Sequence, residues 1–321
     1  MTTLHRHPAR TTAFLLSGGG SLGAVQVGML QALHGNGVRP DLLVGTSVGA
    51  VNAAYVAGQG FGTDALDGLA AVWAGLSRAD VFPVRARRAL YAVGGFAPSL
   101  LTDQGLRHIL ATHLRFDALE DAAIPVRAVA TDLVSGRGVV LGTGDATSAV
   151  LASAAIPGLF PPVVREGHTL VDGGLADHAD VLESLAGEVD DIYVLPAGYP
   201  CALVTPPRSA LAVAAHALSI LIQQRLLSAV EHYAGAATLH LIPALCPLHV
   251  SVVDFSHTAA LIARARFATQ GWLDSGGADI AEPARFLSLH DHVAHDLSQH
   301  AHSEGDPAAS TLEHVGTDLT A

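Results

Sequence analysis

A serine flanked by glycines two residues before and two after, Gly45-Thr46-Ser47-Val48-Gly49, is the stretch most suited to nucleophilic chemistry. Leu42, Leu43 and Val44 before it make a short buried strand, and Ala50 to Ala57 after it make a small-residue helix. A serine on so tight a strand-to-helix turn is pushed out to where a substrate can reach it. Gly45 and Gly49 let neighbouring backbone approach without a Cβ clash. The helix start also brings unpaired N–H groups near any negative charge that develops there. The bland alternative is an ordinary glycine-rich turn.

A second block, Gly18-Gly19-Gly20-Ser21-Leu22-Gly23, follows the apolar run Thr12–Leu16 and precedes the helical pattern Ala24–His34. Gly18, Gly20 and Gly23 fit a dinucleotide-binding turn, which also wants an acidic residue at the end of the next strand. Asp41 sits at the start of that strand, the wrong end. The preferred reading is a nest of glycine amides aimed at an anion, which beside Ser47 would be a tetrahedral oxyanion. A serine nucleophile needs a base, and none of the 18 histidines lies in a recognisable motif. Asp172 closes the apolar run His168–Val171 and is followed by Gly173 and Gly174, so it can point into a cleft at the sheet edge. An Asp-Gly-Gly by itself is also a common turn.

The elements that must position these groups follow a strand–turn–helix repeat. Further strands are expected at Asp41–Val44, Val126–Ala130, Gly138–Leu141, Asp191–Leu195 and Leu239–Ile242, with a hairpin at 162–165 and 168–171. Helices are expected at 62–76, from an N-cap at Thr102 to Leu114, and at 145–155, 181–186 and 258–272. The long apolar stretch Ser209–Val230 contains His216, Gln223, Gln224 and Arg225, so it is read as a buried core helix rather than a membrane span. Such an order implies a mostly parallel sheet covered by helices.

The three glycine-bearing motifs together resemble the patatin-like phospholipase family. Two further blocks are similar as well: Thr131-Asp132-Leu133, and the run from Ala152-Ser153-Ala154-Ala155 to Pro162. The resemblance spans about Thr12 to Leu175. It implies an α/β/α three-layer hydrolase with a Ser–Asp dyad. Ser47 would be the nucleophile and Asp172 the base. The amides of Gly18, Gly19 and Gly20 would form the oxyanion hole, with Gly23, Gly45, Gly49, Gly173 and Gly174 in support. The implied substrate is a lipid or other acyl ester, with no cofactor and no metal. Two positions depart from the family pattern. Leu22 stands where members commonly carry Arg, and Leu175-Ala176-Asp177-His178 stands where members commonly show Asn and then Pro. Asp177 and His178 are read as surface residues. The altered blocks also leave a second reading, a catalytically weak or inactive lipid-binding or scaffold member.

Composition bounds the partners. The 321 residues are 50% hydrophobic and carry a formal charge of −12, which argues against nucleic acid. All 17 basic residues are Arg. The segment 78–101 mixes Arg78, Arg85, Arg87 and Arg88 with Phe82, Leu90 and Tyr91, and is read as an irregular cover or peripheral membrane contact in which Phe82, Leu90 and Tyr91 would insert. Only Cys201 and Cys246 are present, too few for a disulfide framework, and a cytoplasmic location is expected. The expected organisation is a flexible stretch 1–10, one catalytic domain over 11–285, and a disordered tail over 286–321. That tail holds six His and six Asp or Glu without a fixed ligand geometry, so no metal site is assigned to it. Oligomeric state is not legible.

Overall fold

The computed structural model describes residues 10–83, 91, 92, 94–176, 178–203 and 205–279. The His- and acid-rich stretch from Phe286 lies outside them. Of the stretch 1–10 only Arg10 is described, and its guanidinium holds Asp191 at 2.6 Å.

Eight strands form one sheet: β1 (Thr12–Leu16), β2 (Leu42–Thr46), β3 (Val126–Asp132), β4 (Gly138–Leu141), β5 (Val163–Arg165), β6 (His168–Asp172), β7 (Asp191–Leu195) and β8 (Thr238–Leu241). Their order is β5-β6-β3-β2-β1-β7-β8, with β4 also paired to β3. The central pairs β3–β2, β2–β1, β1–β7 and β7–β8 are parallel, and the pairs to β4, β5 and β6 are antiparallel.

The described helices are α1 (Gly23–Gly35), α2 (Val48–Gln59), α3 (Thr63–Gly75), α4 (Arg78–Val81), α5 (Gln104–His113), α6 (Ala146–Ser153), α7 (His178–Ala186), α8 (Ala210–Glu231) and α9 (Thr258–Asp274). Because side chains alternate along a strand, each buried strand feeds two cores. Phe14, Leu16 and Leu43 pack into the core beneath α1, α2, α3 and α9. Ala13, Leu15, Leu42 and Val44 pack into the opposite core, closed by Leu182 and Leu185 of α7 and Leu226 and Val230 of α8. The result is the three-layer α/β/α arrangement expected.

Several local expectations need correction. Helix α5 starts one residue later than expected, with Asp103 at the N-cap, and Thr102 keeps a buried hydroxyl that bonds to nothing among the described residues. Phe82 does not face outward. It is buried, stacked on Phe160 with ring centres 5.5 Å apart, because Phe160 and Phe255 offer it an aromatic slot. Arg85, Arg87, Arg88 and Leu90 lie outside the described residues. Helix α8 is not wholly buried. Ala215, Ser219, Ile222, Leu226 and Val230 face inward at helical spacing, while Val213 and Leu221 stay exposed. Its residues Ala212–Glu231 are long and apolar enough to cross a membrane by length and composition.

Candidate active site

Strand β3 sets the distance between the two groups singled out from the sequence. Thr46, the last residue of β2, pairs with Val129. Asp172, the last residue of β6, pairs with Ala130, the next position along β3. Two strands that run in opposite senses therefore end at adjacent positions on either side of β3. Ser47 Oγ donates a hydrogen bond to Asp172 Oδ2 at 2.6 Å.

The turn carrying Ser47 is strained, with φ 55° and ψ −125° on a residue that has a Cβ. Contacts on both sides hold it there. The Ser47 N–H donates to Ser153 Oγ at 2.9 Å, and Ser153 Oγ donates onward to the Val129 carbonyl at 2.5 Å. Ser153 is fully buried at the end of α6. Its role was not legible, since one Ser in an Ala-rich helix looks like a neutral filler. The signals were its place in the family-like block from Ala152 to Pro162 and a polar group in a helix with almost no exposed face. Ser153→Ala should leave the Ser47 amide without an acceptor, costing about 2 kcal/mol of stability. On the hydrolase that the sequence resemblance implies, it should lower ester turnover roughly tenfold with KM little changed, because Ser153 lines neither space beside Ser47. Melting curves and ester kinetics check this; an unaltered kcat refutes the positioning role.

Asp172 is fully buried. Its Oδ1 accepts the Gly174 N–H at 2.8 Å, and its backbone is held by the Thr131 hydroxyl at 2.9 Å and the Ala155 carbonyl at 2.9 Å. Removal from water pushes its pKa up to about 6, opposed by the hydrogen bonds from Ser47 and Gly174. The block around Asp132 braces the same corner: Asp132 Oδ2 holds His168 Nδ1 at 2.6 Å, tying the β5–β6 hairpin to β3. His168 and Leu133 are themselves largely exposed. Gly173 and Gly174 form the short helical turn after Asp172. Asp177 lies outside the described residues. His178, expected at the surface, is buried, because α7 begins there and packs beneath the sheet.

The glycine turn closes the site from the other side. A Cβ on Gly18 would lie 3.1 Å from Ser47 Cβ, so this backbone abuts the serine. Gly20 takes φ +59°, and a Cβ there would lie 2.4 Å from the Val252 carbonyl. Among the described residues, no acceptor takes the Gly18, Gly19 or Gly20 N–H. Gly23 opens α1, Gly45 is the penultimate residue of β2 and Gly49 lies in the first turn of α2. Leu22, in the family's arginine position, is buried in the core.

A chain of amides behind the turn keeps it in place. Trp73 Nε1 donates to Asn52 Oδ1 at 2.9 Å. Asn52 Nδ2 donates to Gln26 Oε1 at 2.9 Å and to the Gly23 carbonyl at 3.0 Å. Gln26 Nε2 reaches the carbonyls of Ser17 and Leu195. Two fully buried amides inside apolar helices are costly unless paired, and here every amide hydrogen has a partner.

Ser47 opens onto two spaces. The larger encloses about 810 Å³, part of it open to solvent, and runs between α2, α3 and α5. Its walls are mostly apolar, including Val51, Leu69, Trp73, Leu110 and Phe160. The smaller, about 340 Å³, lies beneath α8 against Ile222 and Ser219, with Gly19 and Gly20 on its rim. Among the described residues no group of His, Cys, Asp and Glu has the geometry to hold a metal ion.

The family model for patatin-like phospholipases matches residues 14–184, which include the glycine turn, the Ser47 elbow and Asp172. The chain belongs to the patatin-like phospholipase family. An uncharacterized NTE family protein of Mycobacterium tuberculosis is 28% identical over 298 residues, covering 84% of this chain and 48% of the relative. Lysophospholipase NTE1 of Mycosarcoma maydis is 29% identical over 192 residues, covering 57% of this chain and 9% of that protein. The chain thus spans about half the length, or less, of these patatin-like relatives. Among solved structures, VipD from Legionella pneumophila superposes with a TM-score of 0.41 at 15% identity, over 83% of this chain and 67% of that one.

Proposed function

We propose that this protein is a serine acyl hydrolase acting on lipid esters through a Ser47–Asp172 dyad. The observation that carries the reading is the 2.6 Å hydrogen bond from Ser47 Oγ to a buried carboxylate, at the mouth of an apolar cavity. Family membership supports the lipid class of substrate. The ionised Asp172 takes the Ser47 proton as Oγ attacks the ester carbonyl carbon. The glycine-turn amides hold the oxyanion where water is excluded, so that they act at low local dielectric. Collapse of the tetrahedral species expels the alcohol, which recovers the proton from Asp172. Water then attacks the acyl-serine by the same route. The apolar cavity takes the acyl chain.

The test is turnover of a short-chain nitrophenyl ester and of a phospholipid, together with labelling by a fluorophosphonate. Wild type should be labelled at Ser47, and Ser47→Ala should lose both labelling and turnover, by roughly 10⁶-fold where the background allows. Because Asp172 works only when ionised, kcat/KM should rise with pH through a midpoint near the group's pKa of about 6. Labelling of a different residue, or equal rates in the variant, overturns the assignment.

Contact with a lipid surface is part of the same proposal, through Tyr91 and Phe96, which are 57% and 81% exposed. Their rings meet edge to face at 6.1 Å and form one apolar knob. Replacing both with Ala should weaken co-sedimentation with anionic liposomes severalfold; unchanged binding removes this contact.

A further inference from the structure

The chain's only two cysteines, 45 positions apart, meet in the fold with their sulfurs 3.9 Å apart. We propose that Cys201 and Cys246 are a redox pair that closes reversibly into an intrachain disulfide, tying together the two loops that buttress the glycine turn. This inference is independent of the hydrolase reading.

Cys201 lies in the loop after β7, and Cys246 in the loop after β8. The loops already touch. The Ala202 N–H donates to the Leu248 carbonyl at 3.1 Å, and His249 Nδ1 bonds the Ala202 carbonyl. Each loop also grips one end of the glycine turn. The Ala197 N–H donates to Ser17 Oγ at 2.9 Å. Ser21 donates its N–H to the Val252 carbonyl at 2.8 Å and its hydroxyl to the Ser251 carbonyl at 3.0 Å. A bond of about 2.05 Å between the sulfurs requires each to move by only about 1 Å, within reach of a side-chain rotation. Both residues are partly buried, so a small oxidant reaches them while a second protein chain is hindered.

Hydrogen peroxide balances the step. One thiolate sulfur attacks a peroxide oxygen, breaking the O–O bond to give a sulfenic acid and hydroxide, which takes up a proton as water. The other thiol then displaces the sulfenic oxygen as a second water, forming the S–S bond. Two sulfurs are oxidised by two electrons in all, and one peroxide is reduced to two waters. Burial, followed by the neighbouring sulfur, pushes the Cys246 thiol up from its ordinary range. A dithiol reductant reverses the bond by exchange.

The test uses the full chain, fully reduced and then exposed to hydrogen peroxide. Non-reducing peptide mapping should find a Cys201–Cys246 cross-link and no free thiol. Tm should rise by roughly 5 °C, since a loop of this length loses much unfolded-state freedom when closed. Dithiothreitol should restore the original Tm. In Cys201→Ser and Cys246→Ser the rise should be absent. Differential alkylation of the wild type gives the same answer without any variant. Two thiols still free after oxidation, two separately oxidised sulfurs, or a disulfide between chains would each overturn the proposal.

Discussion

Asp172→Asn is expected to cut ester turnover by about 10⁴-fold and, at the same time, to make the protein harder to unfold at neutral pH. The rate loss follows from removing the one group that accepts the Ser47 proton at 2.6 Å. The gain in stability follows from where the carboxylate sits. Folding takes it out of water and raises its pKa from 3.8 to about 6. Below the lower value the group is protonated in both states and its burial costs no charge. As pH rises through about 6 the native state must hold an anion that the unfolded chain solvates better, and the penalty approaches 3 kcal/mol, an upper figure of about that order. Asn keeps an oxygen for the Gly174 amide and offers an N–H to Ser47 Oγ, without the charge. The variant should therefore gain about 1–3 kcal/mol near pH 8, with the gain fading near pH 4. Denaturant melts at the two pH values read this directly. A gain of equal size at both would show that the buried carboxylate carries no charge penalty, and turnover within tenfold of wild type would show that it is not the base.

Gly49→Ala is expected to be strongly damaging for a single added methyl. A Cβ at this position would lie 2.2 Å from the Leu16 carbonyl oxygen, 2.6 Å from its carbon and 2.7 Å from the Ser17 oxygen. All three are backbone atoms at the end of β1, so no side chain can swing aside. Helix α2 would have to lift off the sheet, taking the strained Ser47 turn with it. A loss of about 4 kcal/mol or more, or failure to accumulate folded protein, is expected. Gly75→Ala is the control. It ends α3 with nothing within 4 Å of the added carbon, and should be neutral or mildly stabilising. Thermal melts of the two variants should differ widely; a Gly49→Ala protein that melts with the wild type would contradict the packing described.

What the sequence disclosed depended on whether the signal was local. The strands β1 and β2 are short, nearly continuous apolar runs, β3 is one broken by Arg127, and the Gly45-x-Ser47-x-Gly49 turn is bounded by a strand and a helix whose patterns change at that point. Asp172 was legible as the end of a strand, since the apolar run stops there. Other features depend on partners far away in the chain. Phe82 looked like a surface anchor because its neighbours are arginines, yet Phe160 and Phe255 decide where it goes. His178 follows an Asp and looked solvated, yet the packing of α7 buries it. Ser153 and Asn52 are polar residues in helices with no polar face. That mismatch was the available sign that each is bonded inside the fold, though not to what. Helix α8 has apolar residues on every side, so composition alone could not tell which side the domain would cover.

The Trp73–Asn52–Gln26 chain has a consequence for what the cavity can grip. Asn52 borders that space, but both of its amide hydrogens are already committed, to Gln26 and to the Gly23 carbonyl. A carbonyl that reached Asn52 would find neither of its amide hydrogens free to replace the water it gave up. Among the described residues the Gly18, Gly19 and Gly20 N–H groups have no acceptor, so on the proposed reading the ester carbonyl stays at the glycine turn while the hydrocarbon passes inward.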